Sequence, residues 1–174
     1  MHFGHNPRIE IRMWRTLLLI AVICLSGRAA ARDALGVFEG WAAFRDAAPA
    51  RCYAITEPDG ARRGEAHRPF LSVAIWPVRD RRPQVHVRLR RDRPRGTPVF
   101  LETGGARFLL VAGRADAWAR DSRADAAIVR AMRGGDWLRV IARDERGRRF
   151  TDAYRLAGAA TAIDAAIVGC TRRR

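Results

Sequence analysis

The sequence predicts a mainly β chain: an antiparallel β-sandwich of about seven or eight strands with two short helices. Three observations carry this. Gln84–Arg90 (QVHVRLR) alternates strictly, with Val85, Val87 and Leu89 on one side and His86, Arg88 and Arg90 on the other, as in a half-buried strand. Gly104-Gly105 separates two apolar runs, where a two-residue hairpin loop needs positive φ. Turn signals recur at the short intervals of an all-β chain, and only two stretches read as helical.

The elements follow in order. Leu35–Phe44 (LGVFEGWAAF) is aromatic-rich and reads as one strand. Arg51–Thr56 (RCYAIT) follows a turn near Pro49 and stops at Pro58-Asp59-Gly60. Phe70–Trp76 (FLSVAIW) is a continuous apolar run ended by Pro77, as in a buried strand. After Gln84–Arg90 comes the glycine hairpin, Pro98–Thr103 with Ala106–Val111. A further pair, Asp136–Arg143 and Arg149–Leu156, flanks a loop containing Gly147. The first helix covers Ala124–Arg133, with Ser122 and Asp125 resembling a capping box and Gly134-Gly135 as the stop. The second spans about Ala157–Val168 and sets Ile163 and Ile167 at i, i+4 on one face.

Residues 1–31 carry the three parts of a secretory signal. Arg8, Arg12 and Arg15 form the basic region, Thr16–Leu25 the apolar region, and Ala29-Ala30-Ala31 the cleavage site. Met13 is an alternative start. The apolar run is short of the ~20 residues a spanning helix needs, so cleavage is favoured over a retained anchor. Ile23 before Cys24 argues against a lipid-modified cysteine, which usually follows a small residue. Residues 32–174 then suit one domain with its own core. Cys52 and Cys170 remain near its two ends, in a compartment where thiols oxidise. A structural disulfide is favoured over free thiols or a redox pair, because redox pairs usually lie close in sequence. It predicts sulfurs ~2 Å apart and Cα atoms about 4.4–6.8 Å apart.

The formal charge is +15, and every basic residue is arginine. An anion-binding surface is one reading. The favoured one is a GC-rich coding bias, since the arginines scatter through loops and alternate with acids. Only weak, non-specific binding to anionic polymers or lipids is expected, and no specific nucleic acid.

Catalytic constellations are sparse. Ser72 and Ser122 are the serines after residue 31, and neither lies in a nucleophile elbow. His67 and His86 lack the spacing of a metal site, and no C-x-x-C accompanies them. His86 falls on the wet face of its strand. Asp116, Asp121 and Asp125 cluster about Trp118, but ion pairing and capping suit them better than calcium. Trp41, Trp76, Trp118 and Trp137 could stack sugars, yet their apolar neighbours predict core positions. No cofactor, metal ligand or catalytic residue is assigned.

Four segments in this order resemble the invasion-associated locus B family of exported alphaproteobacterial proteins. The first is Leu35–Trp41, with Gly36, Phe38 and Trp41 in the family's G-x-F-x-x-W pattern. The second is Arg51–Pro58, with its Cys52-Tyr53 pair, and the third is Ala131–Gly135. The last is the most specific: Arg146-Gly147, then Thr151-Asp152-Ala153-Tyr154-Arg155-Leu156-Ala157-Gly158, Ala162 and Cys170. Gly40 stands where an Asp is common, and Ala159 where an aromatic is common. The resemblance implies a periplasmic or surface-exposed β-sandwich without established enzymatic activity, in a family named for host-cell invasion.

Two functions remain. The favoured one is a non-catalytic envelope or surface protein, periplasmic or secreted, that binds an envelope or host macromolecule and keeps no membrane anchor after cleavage. The alternative is a periplasmic hydrolase of envelope polymers using acids such as Asp152 or Glu145, which needs two carboxylates facing each other across a cleft. Thr151–Cys170 is expected to be a structural clasp: Tyr154 and Leu156 inward, Gly158 at the strand-to-helix turn, Ile163 and Ile167 on the sandwich, and Cys170 bonded to Cys52.

Overall fold

The computed structural model describes residues 32–61, 64–77 and 82–171. The predicted signal, 1–31, lies outside the described residues. The elements are β1 (Arg32–Phe38), β2 (Trp41–Ala47), β3 (Ala50–Thr56), β4 (Phe70–Ile75), β5 (Gln84–Arg88), β6 (Val99–Thr103), β7 (Ala106–Ala112), β8 (Asp116–Trp118), α1 (Ser122–Arg133), β9 (Trp137–Arg143), β10 (Arg149–Arg155) and α2 (Ala159–Thr171). The ten strands form one antiparallel sheet in the order β1-β2-β3-β4-β5-β8-β7-β6-β9-β10. No helix among the described residues is long and apolar enough to cross a membrane.

The fold class is mainly β with two helices, as predicted, with more strands than expected. Leu35–Phe44 is two strands. Phe38 pairs with Trp41 across a Glu39-Gly40 turn, and the left-handed residue is Glu39 (φ 52°). The turn is hidden in an apolar stretch, and its positive φ falls on a residue other than glycine. The three-residue β8 is too short to show a period in the sequence. It joins the two arms of the sheet, pairing with β5 and with the end of β7.

Both arms wrap one core. Trp41, Leu71, Val85, Val87, Leu101, Leu138, Val140 and Tyr154 belong to it, together with Ile128 and Met132 of α1 and Ile163 of α2. Strands β2 and β10 meet across it: the Trp41 indole N–H donates to the carbonyl of Arg155 at 2.9 Å. The outer edge of β10 is partly covered, since the amide of Asp59 donates to the carbonyl of Ala153 at 2.8 Å. An open strand edge is thus given partners within the chain.

The predicted hairpin at Gly104-Gly105 is present, with φ values of 54° and 75°. The loop between β9 and β10 turns at Gly147 and is held by Asp144, which accepts from the amides of Arg146 and Arg148 at 3.0 Å each. Helix α1 is capped differently from the expectation. Asp121 is the N-cap and accepts from the Ala124 amide at 2.8 Å. Ser122 is already helical, and Asp125 is buried and accepts from the Val85 amide of β5 at 2.7 Å. Both Asp121 and Ser122 have capping chemistry, so the choice depended on which side chain the chain path left free.

The clasp forms as expected, with one correction. Tyr154 is fully buried and Leu156 nearly so. Gly158 turns the chain into α2 with φ 83°. A Cβ there would meet the Phe38 carbonyl carbon at 2.6 Å and overlap its oxygen. Ile163 is fully buried, but Ile167 is 37% exposed. Ala159, Ala162, Ile163 and Ala166 form the contact face, so Ile167 lies on its margin. Cys170 is bonded to Cys52 with Cα atoms 5.7 Å apart. Cys52, Ile75 and Ala166 make a small apolar cluster around the bond.

Candidate functional site

The alternation of β10 turns Phe150, Asp152 and Tyr154 inward and leaves Arg149, Thr151 and Arg155 exposed. Asp152 is therefore a fully buried carboxylate. Arg90, just past β5, answers it: its Nε donates to Asp152 Oδ1, and its Nη1 donates to Glu65 Oε1 at 3.1 Å. One guanidinium thus serves two shielded carboxylates. Glu65 Oε2, Asp152 Oδ2 and the Tyr154 hydroxyl have no hydrogen-bond partner among the described residues. Burial pushes the Asp152 carboxyl up, Arg90 opposes this, and Glu65 adds to it. Burial also drives the Tyr154 phenol well above its ordinary value. A depression of about 520 Å³ lies outside this group, lined by Glu57, Gly64, Glu65, His67 and Arg68.

A second ion-pair chain runs beside it. His67 Nε2 lies 2.8 Å from Asp92, and Arg114 joins Asp92 at 2.9 Å to Glu145 at 3.0 Å. The hydrogen bond from His67, helped by Arg114, holds the Asp92 carboxyl low. The two acids named as hydrolase candidates have different partners: Asp152 is held by Arg90 and Glu145 by Arg114. Glycosidic cleavage needs an acid and a base or nucleophile flanking the scissile bond. Here the paired carboxylates of Asp152 and Glu65 both face one arginine. Among the described residues, no cluster of three or more His, Cys, Asp or Glu side chains is placed to hold a metal ion.

The three predicted acids near Trp118 have separate partners. Asp121 caps α1, Asp125 binds β5, and Asp116 accepts from His86 (2.9 Å) and Arg88. His86 was expected on a plainly solvated face. It is half-buried, stacked on Trp118 at 5.0 Å and met edge-on by Phe70 at 5.1 Å. The tryptophan expectation also needs correction. Only Trp41 is core; Trp76, Trp118 and Trp137 are half-buried. Trp118 and Trp137 lie on the outer side of the sheet, Trp137 beneath Arg155 at 4.5 Å. Outward apolar side chains are unremarkable singly, and the strand period alone does not say which face is covered.

The remaining family-like positions are spread over β1, β3, the β9–β10 loop and β10. Gly36 lies at the register shift of β1, and the half-buried Phe38 packs against the core. Tyr53 packs on Phe44 at 5.7 Å, with Arg51 over its ring at 4.8 Å. Gly147 (φ 75°) forms its loop, and Thr151 is exposed.

A surface that sequence reasoning missed lies on the outer side of β6, β7 and β9. Phe100 stands between Leu109 and Ile141, and Val111 beside Trp118. The signal was present in Ala106–Ala112 (ARFLLVA), which is apolar on both faces although one is open. A depression of about 270 Å³ adjoins Phe100 and Ile141 and is flanked by Arg143 and Arg149.

The chain is similar in fold to a solved structure, invasion associated protein B from Bartonella henselae. The TM-score is 0.58 at 16% identity, covering 79% of this chain and 98% of that one. No protein-family model matches the chain, and no curated protein matches it. At this identity the likeness establishes shared architecture.

Proposed function

We propose that this is an exported, non-catalytic binding protein of the bacterial envelope or surface, of the invasion-associated locus B type. The observation that carries this reading is the fold likeness to invasion associated protein B, which spans 98% of that chain. The Cys52–Cys170 bond supports export, because structural disulfides form and persist in oxidising compartments. The ion pairs support binding over hydrolysis, since Asp152 and Glu145 are each engaged by an arginine. The partner is an envelope or host macromolecule.

The test is incubation of the purified exported protein with peptidoglycan and outer-membrane fragments. Co-sedimentation without release of soluble sugar or peptide fragments is expected. Fragment release abolished by Asp152→Asn or Glu145→Gln would establish the hydrolase instead.

A further inference from the structure

On the outer side of β6, β7 and β9, Leu109 and Val111 are exposed beside Phe100, which is half-buried with the Arg107 guanidinium 3.9 Å from its ring, and Ile141, which is buried. Leu109 is 60% exposed and Val111 is 55% exposed. Register places Leu109 next to Phe100, Phe100 next to Ile141, and Val111 next to Trp118. Two large apolar side chains exposed side by side on one sheet face, with further apolar side chains next to them, suit an interaction site. Its chemistry, aromatic and aliphatic at the centre with arginine around it, is that of a protein-binding patch.

The charges say what kind of partner fits. Outward positions of β6, β7, β9 and β10 carry Arg107, Arg139, Arg143, Arg149 and Arg155 against Glu102 alone. Arg107 is paired with Glu102, and Arg155 with Asp59. Arg143 and Arg149 stand directly opposite each other in the β9–β10 ladder. Neither has a carboxylate at ion-pair distance among the described residues, and Arg143 donates only to the carbonyl of Gly147, at 2.9 Å. Like charges directly opposite are unfavourable, and an anion from outside relieves them. These two arginines flank the depression of about 270 Å³ beside Phe100.

We infer that this face docks an acidic polypeptide segment with bulky apolar side chains. One apolar side chain enters the depression against Phe100 and Ile141, and neighbouring carboxylates meet Arg143 and Arg149. Leu109 and Val111 stand in mid-strand on a sheet face, away from any loop tip, so they suit a laid-on chain better than insertion into a bilayer. The inference rests on the binding reading above and gives it a surface and a partner chemistry.

The experiment uses the exported protein and a labelled peptide of about twelve residues alternating Glu with Leu. The comparisons are the same peptide with Gln for Glu, and phosphatidylglycerol vesicles. The variants are the pairs Arg143→Ser with Arg149→Ser, and Leu109→Ser with Val111→Ser, whose exposure leaves the melting temperature near the parent's. The Glu peptide should bind at ~0.15 M salt, the Gln peptide far more weakly, and each variant pair should cost about tenfold or more. Failure of the Glu peptide to bind, equal binding of the Gln peptide, or indifference to both variant pairs overturns the assignment. Vesicle binding lost in the variants, without peptide binding, replaces it with a lipid surface. Co-sedimentation with envelope fragments that survives both variant pairs overturns this face alone, whereas fragment release overturns the binding reading itself.

Discussion

Arg90 answers the fully buried carboxylate of Asp152 and, with the same guanidinium, Glu65. Removing one partner of a buried pair leaves an uncompensated charge and costs about 3–5 kcal/mol. Arg90→Met should lose about that much at neutral pH, measured by urea unfolding. The loss should also depend on pH. Burial raises the Asp152 carboxyl in the folded chain, so folding favours its protonated form and stability falls as pH rises through that raised value. Without Arg90 the value rises further. The gap between variant and parent should therefore be widest near about pH 7 and shrink toward about pH 4; an unchanging gap would show that Asp152 is not the group left exposed to the loss. The Asp164–Arg133 pair between α2 and α1 gives a contrast. The hydrogen bond from Arg133 lowers that carboxyl, so its small contribution is present above the ordinary carboxylate value and fades as pH falls. Both partners are substantially exposed, so Asp164→Asn should cost less than about 1 kcal/mol. Little of this was legible in the sequence. The period of β10 could place Asp152 inward, but its partner lies at Arg90, and nothing local announces that pairing.

At the scale of elements, the C-terminal clasp was the most readable part, because apolar period, glycine and cysteine agree within one segment. Ile163 is fully buried, and Ile163→Ala should cost about 2–5 kcal/mol. Ile167 is exposed at the margin of the helix contact, and Ile167→Ala should change stability by less than about 0.5 kcal/mol. Thermal unfolding of the two variants side by side checks which face α2 uses; equal losses would contradict the packing described. Gly158→Ala should lower the melting temperature strongly, because left-handed φ costs an alanine about 1–2 kcal/mol and its Cβ would strike the backbone of Phe38. Where local signals disagreed, elements were lost. The β1–β2 turn lies within an apolar run, and β8 is three residues long and exists through its neighbours. The same limit applies to the outer face of β7. Its double-sided apolar pattern normally indicates cover on both sides, so the open side became visible only with the sheet assembled.

For the whole molecule, the disulfide and the direction of export belong to one argument. Cys52 and Cys170 are 118 positions apart, and closing a loop of that order stabilises a chain by roughly 4–5 kcal/mol in the chain-entropy model. Cys170→Ser should therefore unfold at markedly lower temperature than the parent and lose the anchoring of α2 to β3. Many of the arginines are matched in place by ion pairs such as Arg88–Asp116, Arg114–Asp92 and Arg148–Asp144, and the net charge of +15 is the excess of arginine over acid. Overall basicity therefore says less about partners than the unmatched arginines of one sheet face do. The most direct test of an exported, disulfide-clasped domain is the intact mass of the full chain recovered, without reductant, from fractionated cells. The account predicts a periplasmic or external species that begins at Arg32 and weighs two hydrogens less than the reduced form. A cytoplasmic species retaining residues 1–31, with Cys52 and Cys170 free to alkylate, would contradict it.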